Sequence, residues 1–314
     1  MKIAFNLDTI NYRGTTVAVS DYAKYNQEIL GNESIIVYDN TIQYEKDMGS
    51  ENEALEDLRT KFEVIGCPKS DLNGVLQKEQ VDLAYFIKYG HDDRELPEVK
   101  TAIHAVFQAK DPHGDRYAYI SEWLSNKMGG DIPFVPHIVE LPEANDNYRE
   151  RFNISEEQVV VGRYGGYYSF DLEFVKQSII ELLDETDKFV FMFVNTEPFY
   201  KHKNIIYIDS IVDRQKKSNF VNTCDAMLHA RTRGESFGLS VCEFLYHNKP
   251  VLAWNNGLDQ NHIHLLKDSG SLYNEYDFKS KLANIAEQDY DWKGIVKQFE
   301  PKEVINKFKE VFID

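Results

Sequence analysis

The chain has 314 residues, of which 42% are hydrophobic and 28% charged, and this balance excludes a disordered or fibrous protein. Its length exceeds what one hydrophobic core usually needs, so we expect two domains. The formal charge of −17, from 35 Lys and Arg against 52 Asp and Glu, argues against nucleic acids and anionic membranes as partners. The longest basic run, "RQKK" at 214–217, is interpreted as a solvated helix face.

The cysteines and the hydropathy of the chain indicate the cellular compartment in which the protein is found. The three cysteines, Cys67, Cys224 and Cys242, have neither the spacing of a metal site nor that of a disulfide framework. The first residues alternate like a strand and are too polar for a signal peptide, and no run reaches transmembrane length. We therefore predict a cytoplasmic protein with reduced thiols and no strong membrane signal.

The first half of the chain alternates short β-rich runs with helical patterns, which indicates parallel strands joined by crossover helices. Strands are predicted at 2–7, 34–38, 82–87, 100–107 and 116–121, with one helix at about 15–30 and another capped by Ser121. Residues 40–80 are acidic and weakly patterned, and we interpret them as helices that cover the sheet.

A polar, proline-bearing stretch at 135–157 is typical of a connection between domains. A second series follows, with strands predicted at 158–166, 188–195, 204–209, 224–230 and 249–254. The simplest assembly is an α/β protein of two Rossmann-like, doubly wound parallel-sheet domains that face a central cleft. We place the first domain at 1–140 and the second at 141–298, and the remaining residues, 299–314, have the pattern of a helix that can cross back onto the first domain.

The stretch "RTRGESFGLSVCEFLYHNKPVLAW", residues 231–254, is predicted as a loop, a helix and a strand. Ligands of open α/β sheets bind beyond the carboxyl ends of the strands, where this loop must lie. The N–H groups at the helix start, near Gly238 and Leu239, form a site for a phosphate. Glu235 before the helix and Glu243 within it can accept hydrogen bonds from a polyhydroxyl ligand at two places.

This segment resembles the signature of the retaining, nucleotide-sugar-dependent glycosyltransferases of the GT-B fold (group 1, or family 4-like). In that family two glutamates enclose seven residues with a small-residue turn, the EX7E motif, and a "P-V" strand follows; "ESFGLSVCE" and "KPVLAW" stand in that arrangement here. The resemblance extends over most of the chain. It implies that Glu235 contacts the sugar of a nucleotide-diphosphate sugar donor and Glu243 its ribose, with no metal or other cofactor. The implied donor site also includes the turn between them, formed by Ser236, Phe237, Gly238 and Leu239.

In the first domain the resemblance points to the acceptor side. Gly14 after the first strand matches the family's glycine-bearing loop, which faces the donor phosphates as well as the acceptor, and Arg13 would add positive charge. Family members carry a histidine after the strand that corresponds to 100–107, thought to touch the donor sugar, which makes His104 the candidate and His113 the alternative. The implied reaction transfers a hexosyl group to a glycan, protein or small-molecule acceptor with retention of anomeric configuration.

The sequence departs from the family pattern after the first strand of the second domain. The family has an arginine and, a few residues later, a lysine on the donor pyrophosphate, whereas Gly166 and Asp171 occupy those positions here. Arg163 lies two residues before Gly165, the glycine that ends the strand, and so faces the same side of the sheet as that glycine. We therefore expect Arg163, Arg231 and Arg233 to supply the charge that a departing phosphate needs.

Two other functions stay open on the sequence. The missing arginine–lysine pair also fits a non-catalytic GT-B module that binds a sugar or nucleotide without turnover. "GESFG" matches the nucleophile elbow of serine hydrolases, with Ser236 as nucleophile and Asp259 and His262 following in order. A dinucleotide oxidoreductase would need a Gly-rich fingerprint after the first strand, which is lacking, and the Asp-x-Asp match at 289–291 lies in a polar helical region rather than at the strand end that a GT-A enzyme requires.

Overall fold

The computed structural model describes residues 1–11, 14–41 and 51–314. The chain divides into two compact units: unit 1 consists of Met1–Ile138 and Phe299–Asp314, and unit 2 of Val139–Gln298. Arg13, predicted to lie on the acceptor side, falls outside the described residues. In the described part of the chain, no helix is long and apolar enough to cross a membrane.

Unit 1 is built on a six-stranded sheet whose strands all run parallel. Its elements are β1 (Lys2–Leu7), α1 (Gly14–Glu28), β2 (Glu33–Asp39), α2 (Glu51–Arg59), β3 (Glu63–Cys67), α3 (Leu72–Lys78), β4 (Leu83–Lys88), β5 (Thr101–Ala105), β6 (Arg116–Tyr119) and α4 (Glu122–Lys127). The strand order β3-β2-β1-β4-β5-β6 makes this a doubly wound sheet, with its switch point between β1 and β4. Ser121 caps α4 as predicted, since its side chain accepts the N–H of Leu124 at 3.2 Å.

The interpretation of residues 40–80 as helices alone is wrong at β3. This strand pairs in parallel with β2, from Ile35 opposite Glu63 to Asp39 opposite Cys67. It forms the edge of the sheet, and only Cys67 among its five residues is buried, so it lacks the apolar run that marks an inner strand. The same range contains α2 and α3, while residues 42–50 lie outside the described part of the chain.

Unit 2 contains a second six-stranded parallel sheet, in the order β14-β12-β10-β7-β8-β9, and a two-stranded ribbon of β11 and β13. Its elements are β7 (Val159–Tyr164), α5 (Glu173–Glu185), β8 (Phe189–Val194), β9 (Ile205–Ile208), α6 (Arg214–Thr223), β10 (Ala226–His229), β11 (Gly234–Glu235), α7 (Leu239–Tyr246), β12 (Val251–Trp254), β13 (Asp259–Gln260), α8 (Asn261–Leu266), β14 (Leu272–Tyr273), α9 (Phe278–Ala283) and α10 (Trp292–Val296). In β8 all six residues, "FVFMFV", are buried, as expected for a parallel strand with both faces covered.

The C-terminal segment belongs to unit 1. The helix α11 (Pro301–Phe308) continues into one π-helical turn, Lys309–Ile313. Phe308 packs on Tyr22 and on Tyr85, with ring centroids 5.2 Å apart in both pairs. We call this group the aromatic cluster; it comprises Tyr22, Tyr85, His104, His137, Phe308 and Phe312. The cluster anchors the last helix to the core of unit 1.

His104, predicted to touch a donor sugar, lies inside the aromatic cluster instead. It has no exposed surface. Tyr85 donates its hydroxyl hydrogen to Nδ1 at 2.6 Å, and Nε2–H donates to the carbonyl oxygen of Val135 at 2.8 Å. Both ring nitrogens are therefore occupied by protein atoms, and the structure does not place His104 where a ligand can reach it. The reason is its position in β5, an inner strand whose side chains are covered on both faces.

Acid is expected to destabilise the protein because the aromatic cluster holds its histidines in the neutral form. Burial lowers the pKa of His137 to about 4 and that of His104 well below its ordinary value. The unfolded chain, whose histidines titrate near about pH 6.5, therefore takes up protons first, so stability is complete above that pH and is lost below it. For His137 alone, the free energy of unfolding measured with urea should fall by about 2 kcal/mol between about pH 7 and about pH 5.

A pair of variants isolates this contribution. His137→Gln should make the free energy of unfolding less dependent on pH, whereas His91→Gln, at an exposed position of the same unit, should leave the dependence as in the wild type. Identical pH curves for His137→Gln and the wild type would contradict the assignment.

Candidate functional site

The candidate site lies at the carboxyl ends of the unit 2 strands. β7 and β10 are neighbours, and the sheet continues in opposite directions from them, to β8 on one side and to β12 on the other. Ligands of doubly wound sheets bind at such a switch point. Three loops start there: 165–172 after β7, 230–238 after β10, and 255–258 after β12, the neighbour of β10 in the sheet.

Backbone pairing connects the loops after β10 and β12. The ribbon aligns Gly234 of β11 with Asp259 of β13 and Glu235 with Gln260. Gly234 has a φ of +74°, and a Cβ atom there would lie 2.0 Å from the carbonyl oxygen of Asp259, so only glycine fits. Glu235 is thus presented by a short, paired piece of backbone rather than by an open loop.

Glu235 is a partly exposed carboxylate at this edge, with 18% of its side chain accessible. Arg231 Nη1 lies 3.0 Å from its Oε2, and His229 Nε2 lies 3.4 Å from its Oε1. Burial by itself raises the pKa of this carboxyl, but the interaction with His229 and the charge of Arg231 outweigh burial and lower the pKa to about 2. Glu235 is therefore ionised near neutral pH and can accept hydrogen bonds from hydroxyl groups.

Two histidines adjoin Glu235. His229 ends β10 and His262 lies in α8, with their ring centroids 4.6 Å apart. Nδ1 of His262 accepts the N–H of Glu235 at 3.3 Å, and its Nε2–H donates to the carbonyl oxygen of Trp254 at 2.8 Å. Burial lowers the pKa of His262 to about 3, so this ring is neutral. His229 was not among the residues predicted from the sequence, although its place at the end of the strand that leads into the motif is a signal for a site residue.

Arg231 and Arg233, expected to carry the charge for phosphates, each have a carboxylate partner. Arg231 pairs with Glu235, and Arg233 Nε donates to Asp259 Oδ2 at 2.8 Å. The arginine side chains are 32% and 38% exposed. Both guanidinium groups are therefore oriented by a carboxylate and still accessible to an anion from solvent.

Arg163 is buried rather than open to a ligand, with 4% of its surface exposed. It donates to the carbonyl oxygens of Asn195 at 3.1 Å and Gly166 at 2.9 Å, and to the hydroxyl of Ser169 at 2.6 Å. Burial lowers the pKa of Arg163 to about 10, although the negative charge of Glu235 acts to raise it. Its hydrogen bonds hold the loop after β7, so the structure does not show Arg163 as the direct phosphate ligand that the strand spacing suggested.

Gly166 and Asp171 occupy the two positions where the family resemblance leads one to expect basic residues, and both form hydrogen bonds that stabilise the loops. The carbonyl oxygen of Gly166 accepts the Arg163 bond. Asp171 donates its N–H to the carbonyl oxygen of Ala230 at 3.2 Å, and its Oδ1 accepts the N–H of Thr232 at 2.7 Å. Asp171 thereby links the loop after β7 to the loop after β10.

The start of α7 adjoins Glu235. Gly238, the residue before the helix, has a φ of +89°, and a Cβ atom there would lie 3.2 Å from Cβ of Glu235. Asn261 Nδ2 donates to the carbonyl oxygen of the buried Phe237 at 2.7 Å, which fixes the turn. Ser236 and Leu239 are partly exposed. The first turn of α7 thus offers N–H groups that lack intrahelical partners next to a carboxylate.

Glu243, predicted to bind a ribose, is buried in an ion pair. Its side chain is 4% exposed, and Lys217 of α6 donates to its Oε1 at 3.1 Å. Lys217 Nζ also lies 5.3 Å from the centre of the Tyr164 ring. The interpretation of 214–217 as a solvated helix face is therefore wrong for Lys217, whose side chain is only 12% exposed. The role of Glu243 toward a ribose stays a prediction.

The residues of a possible hydrolase triad are engaged elsewhere. The ring nitrogens of His262 bond to the Glu235 N–H and the Trp254 carbonyl, and Asp259 pairs with Arg233. His262 therefore has no ring nitrogen left to take a proton from Ser236, as a serine hydrolase requires.

In unit 1, Gly14 and His113 are the remaining described candidates. Gly14 is the first residue of α1, and a Cβ atom there would meet none of the described atoms within 4 Å, so a side chain would fit. His113 lies between β5 and β6, where Nδ1–H donates to the carbonyl oxygen of Asp111 at 2.7 Å. Its Nε2 has no hydrogen-bond partner in the described part of the chain, unlike the ring nitrogens of His104, but this nitrogen is itself buried.

Taken together, the unit 2 groups suit a ligand that is both hydroxylated and anionic. Glu235 accepts hydrogen bonds from hydroxyls, while Arg231, Arg233 and the first turn of α7 attract negative charge. Within residues 1–11, 14–41 and 51–314, no group of three or more His, Cys, Asp or Glu side chains is placed to hold a metal ion.

Similarity to known proteins is found in structure but not in sequence. No protein-family model matches the chain, and no curated protein matches it. A glycosyltransferase from Rickettsia africae ESF-5 is 13% identical with a TM-score of 0.72, over 99% of this chain and 97% of that chain. Anabaena Alr3699/HepE, solved in complex with UDP-glucose, is 13% identical with a TM-score of 0.72, over 99% and 98%. A putative UDP-N-acetylglucosamine 2-epimerase from Listeria monocytogenes is 11% identical with a TM-score of 0.64, over 98% and 94%.

These similarities and the two sheets confirm the predicted fold class. The protein is an α/β protein of the GT-B type, with two Rossmann-like domains that each contain a six-stranded parallel sheet. Proteins with this fold include a glycosyltransferase and a putative epimerase, so the fold does not by itself decide the chemistry.

Proposed function

We propose that the protein is a glycosyltransferase that moves a hexosyl group from a nucleotide-diphosphate sugar to an acceptor, with retention of anomeric configuration and without a metal ion or other cofactor. The observation that carries this proposal is the ionised, partly exposed Glu235 beside the start of α7, at the switch point of unit 2. A carboxylate for sugar hydroxyls and a helix start for phosphates lie side by side there.

Unit 2 binds the donor in this proposal. Glu235 accepts hydrogen bonds from the sugar hydroxyls, and the N–H groups near Gly238 and Leu239 receive the diphosphate. Arg231 and Arg233 add charge to the same group, and Ser236 and Phe237 form the turn between sugar and phosphate. Glu243 takes the ribose, with its carboxylate oriented by Lys217.

The proposed reaction is the one that the family resemblance implies. The bond between the anomeric carbon and the phosphate oxygen breaks while the acceptor oxygen bonds to the same face of the sugar. The acceptor proton moves to the departing phosphate oxygen, which serves as the base. Negative charge grows on that phosphate, and the arginines and the helix start stabilise it.

Unit 1 supplies the acceptor side, with Gly14, Arg13 and His113 as its candidate residues. The formal charge of −17 favours a glycan, a protein or a small molecule over a nucleic acid or an anionic membrane surface as acceptor. We place the reaction in the cytoplasm, where nucleotide sugars and reduced thiols such as those of the three cysteines occur together.

A non-catalytic module that binds a sugar or nucleotide is the second candidate. The loop after β7 favours it, because Gly166 and Asp171 offer no positive charge and the nearby Arg163 is buried in bonds to that loop. Such a module would bind the donor and leave it intact.

A ligand screen by thermal unfolding tests the proposal. Nucleoside diphosphates and their sugars are added to the wild type, beginning with UDP and UDP-glucose because the Anabaena neighbour was solved with UDP-glucose. At a concentration of about 100 Kd, a donor should stabilise the protein by about 2.7 kcal/mol, and inorganic pyrophosphate at equal ionic strength controls for non-specific anion binding. If no nucleotide raises the unfolding temperature above this control, the donor site is refuted.

Release of nucleoside diphosphate from a bound donor separates the enzyme from the module, and NMR of the product's anomeric proton reports retention.

A further inference from the structure

His229 has a buried side chain that the fold alone does not explain. Its side chain is 4% exposed, and among the described residues neither ring nitrogen has a hydrogen-bond partner of good geometry. Buried polar atoms in folded proteins are nearly always paired, so such a ring calls for a reason. The nearest charged group is Glu235, whose Oε1 lies 3.4 Å from His229 Nε2.

The surroundings keep this ring in place. His229 pairs with Ala253 of β12 in the sheet, and its carbonyl oxygen accepts the Tyr273 hydroxyl at 2.9 Å. On one side the ring lies against His262, with centroids 4.6 Å apart. Nε2 is therefore held toward Glu235 by the sheet and by its neighbours, not by a flexible loop.

The charges around Glu235 come from several elements and act together on its carboxylate. Arg231 contacts Oε2, His229 faces Oε1, and His262 accepts the backbone N–H of the same residue. The buried Arg163 of β7 acts on Glu235 through its charge. Two different donors thus approach the two oxygens, and each oxygen keeps a further lone pair for a ligand.

We propose that His229 is a positioning residue for Glu235: the Nε2–H of His229 bonds to Oε1 of Glu235 and keeps the carboxylate turned toward the ligand. What the carboxylate then binds rests on the proposed function, whereas the contact with His229 does not. Without this donor, Oε1 loses a fixed partner and the carboxylate can rotate away from the position in which it accepts a hydrogen bond from a sugar hydroxyl. The consequence is that loss of His229 should weaken sugar binding while nucleotide binding is kept.

The first test needs no ligand. The carboxyl carbon of Glu235 is followed by NMR across pH in protein labelled with carbon-13 at glutamate, with Glu235→Gln to assign the signal. In the wild type this carboxyl should stay ionised to the lowest pH at which the protein is folded. In His229→Phe, which keeps the ring and removes both nitrogens, its pKa should rise by about two units. An unchanged titration in folded His229→Phe would overturn the proposal.

Two conservative variants separate positioning from packing. The side-chain nitrogen of glutamine reaches the place of Nε2, whereas that of asparagine reaches only the place of Nδ1. His229→Gln should therefore restore the low pKa of Glu235, and His229→Asn should not. Equal behaviour of the two, or rescue by asparagine alone, would refute a role for Nε2, and this comparison stands even if His229→Phe does not fold.

The second test uses UDP-glucose and UDP as probes in calorimetry. His229→Phe should bind UDP-glucose about tenfold more weakly than the wild type, a loss of about 1.4 kcal/mol. His229→Gln should bind it nearly as the wild type does, and UDP should bind all variants alike. His91→Gln, at an exposed position in unit 1, is the matched control. Equal loss of both ligands would show a structural defect and overturn the positioning role. Failure of the wild type to bind either probe would count against the proposed donor, and the NMR titration would still decide the role of His229.

Discussion

Replacement of Glu235 by Gln is expected to lower sugar transfer by up to about 100-fold, because a hydrogen bond from a sugar hydroxyl to a charged acceptor contributes up to about 3 kcal/mol. Gln keeps the shape of the side chain and removes its charge. The partners Arg231 and His229 stay in place, and Arg231 is exposed enough for the lost ion pair to cost little stability. The measurement is release of nucleoside diphosphate from the donor found in the ligand screen, with calorimetry for the nucleotide and for the nucleotide sugar.

The affinity pattern makes this prediction specific. Glu235→Gln should weaken binding of the nucleotide sugar while binding of the nucleoside diphosphate stays within about threefold, since the phosphates lie on other groups. Glu185→Gln, an exposed glutamate at the end of α5, should change neither quantity. Full turnover in Glu235→Gln would remove this residue from the proposed site.

The ion pair between Lys217 and Glu243 is expected to be the charge pair in the described part of unit 2 whose disruption destabilises the fold most. Their side chains are 12% and 4% exposed. Removal of one partner leaves the other charge buried, so Lys217→Met and Glu243→Gln should each lower the free energy of unfolding by about 3–5 kcal/mol. The double variant should lose less than the sum of the two, by about 2 kcal/mol, because the two buried side chains interact directly.

Unfolding in urea measures all three variants, and a surface pair provides the control. Lys203 and Asp187 lie 2.9 Å apart with side chains 67% and 68% exposed, so the same cycle with Lys203→Met and Asp187→Asn should show no measurable coupling. Additive losses at Lys217 and Glu243 would mean that the buried contact is not an ion pair in solution.

Calorimetry on the same variants tests the ribose assignment separately. If Glu243 holds the ribose, Glu243→Gln should weaken nucleoside diphosphate binding by about tenfold in protein that is still folded. An affinity equal to that of the wild type would leave Glu243 with a purely structural role.

Most of the fold could be predicted from the sequence because inner parallel strands are apolar along their whole length. The inner strands β7, β8, β10 and β12 lie inside the ranges predicted for the second domain, and so does the edge strand β9. The edge strand β3 escaped prediction because only one of its residues is buried. The ribbon of β11 and β13 could not be predicted at all, since each strand has two residues and exists only through the pairing of two distant loops.

The candidate site was predictable in outline and not in its contacts. The helix start at Gly238 and the carboxylate before it follow from local sequence, as do the glycines that the turn needs. The hydrogen-bond and ion-pair partners of the charged residues do not follow from local sequence. Lys217 reaches Glu243 across 26 positions of the chain, and Arg233 reaches Asp259 across the same separation.

The sequence by itself therefore determined the order of the strands and helices, the α/β class and the segment that forms the candidate site, because these depend on hydrophobic period and turn residues. Only the tertiary structure decided which groups face solvent and which charges are already paired. It buried His104 in the core of unit 1 and bound Arg163 to the loop that follows its own strand. It also placed His229 next to Glu235. Burial and the distance between charges arise only when separate strands and loops are brought together, and they set the ionisation and accessibility on which the chemistry depends.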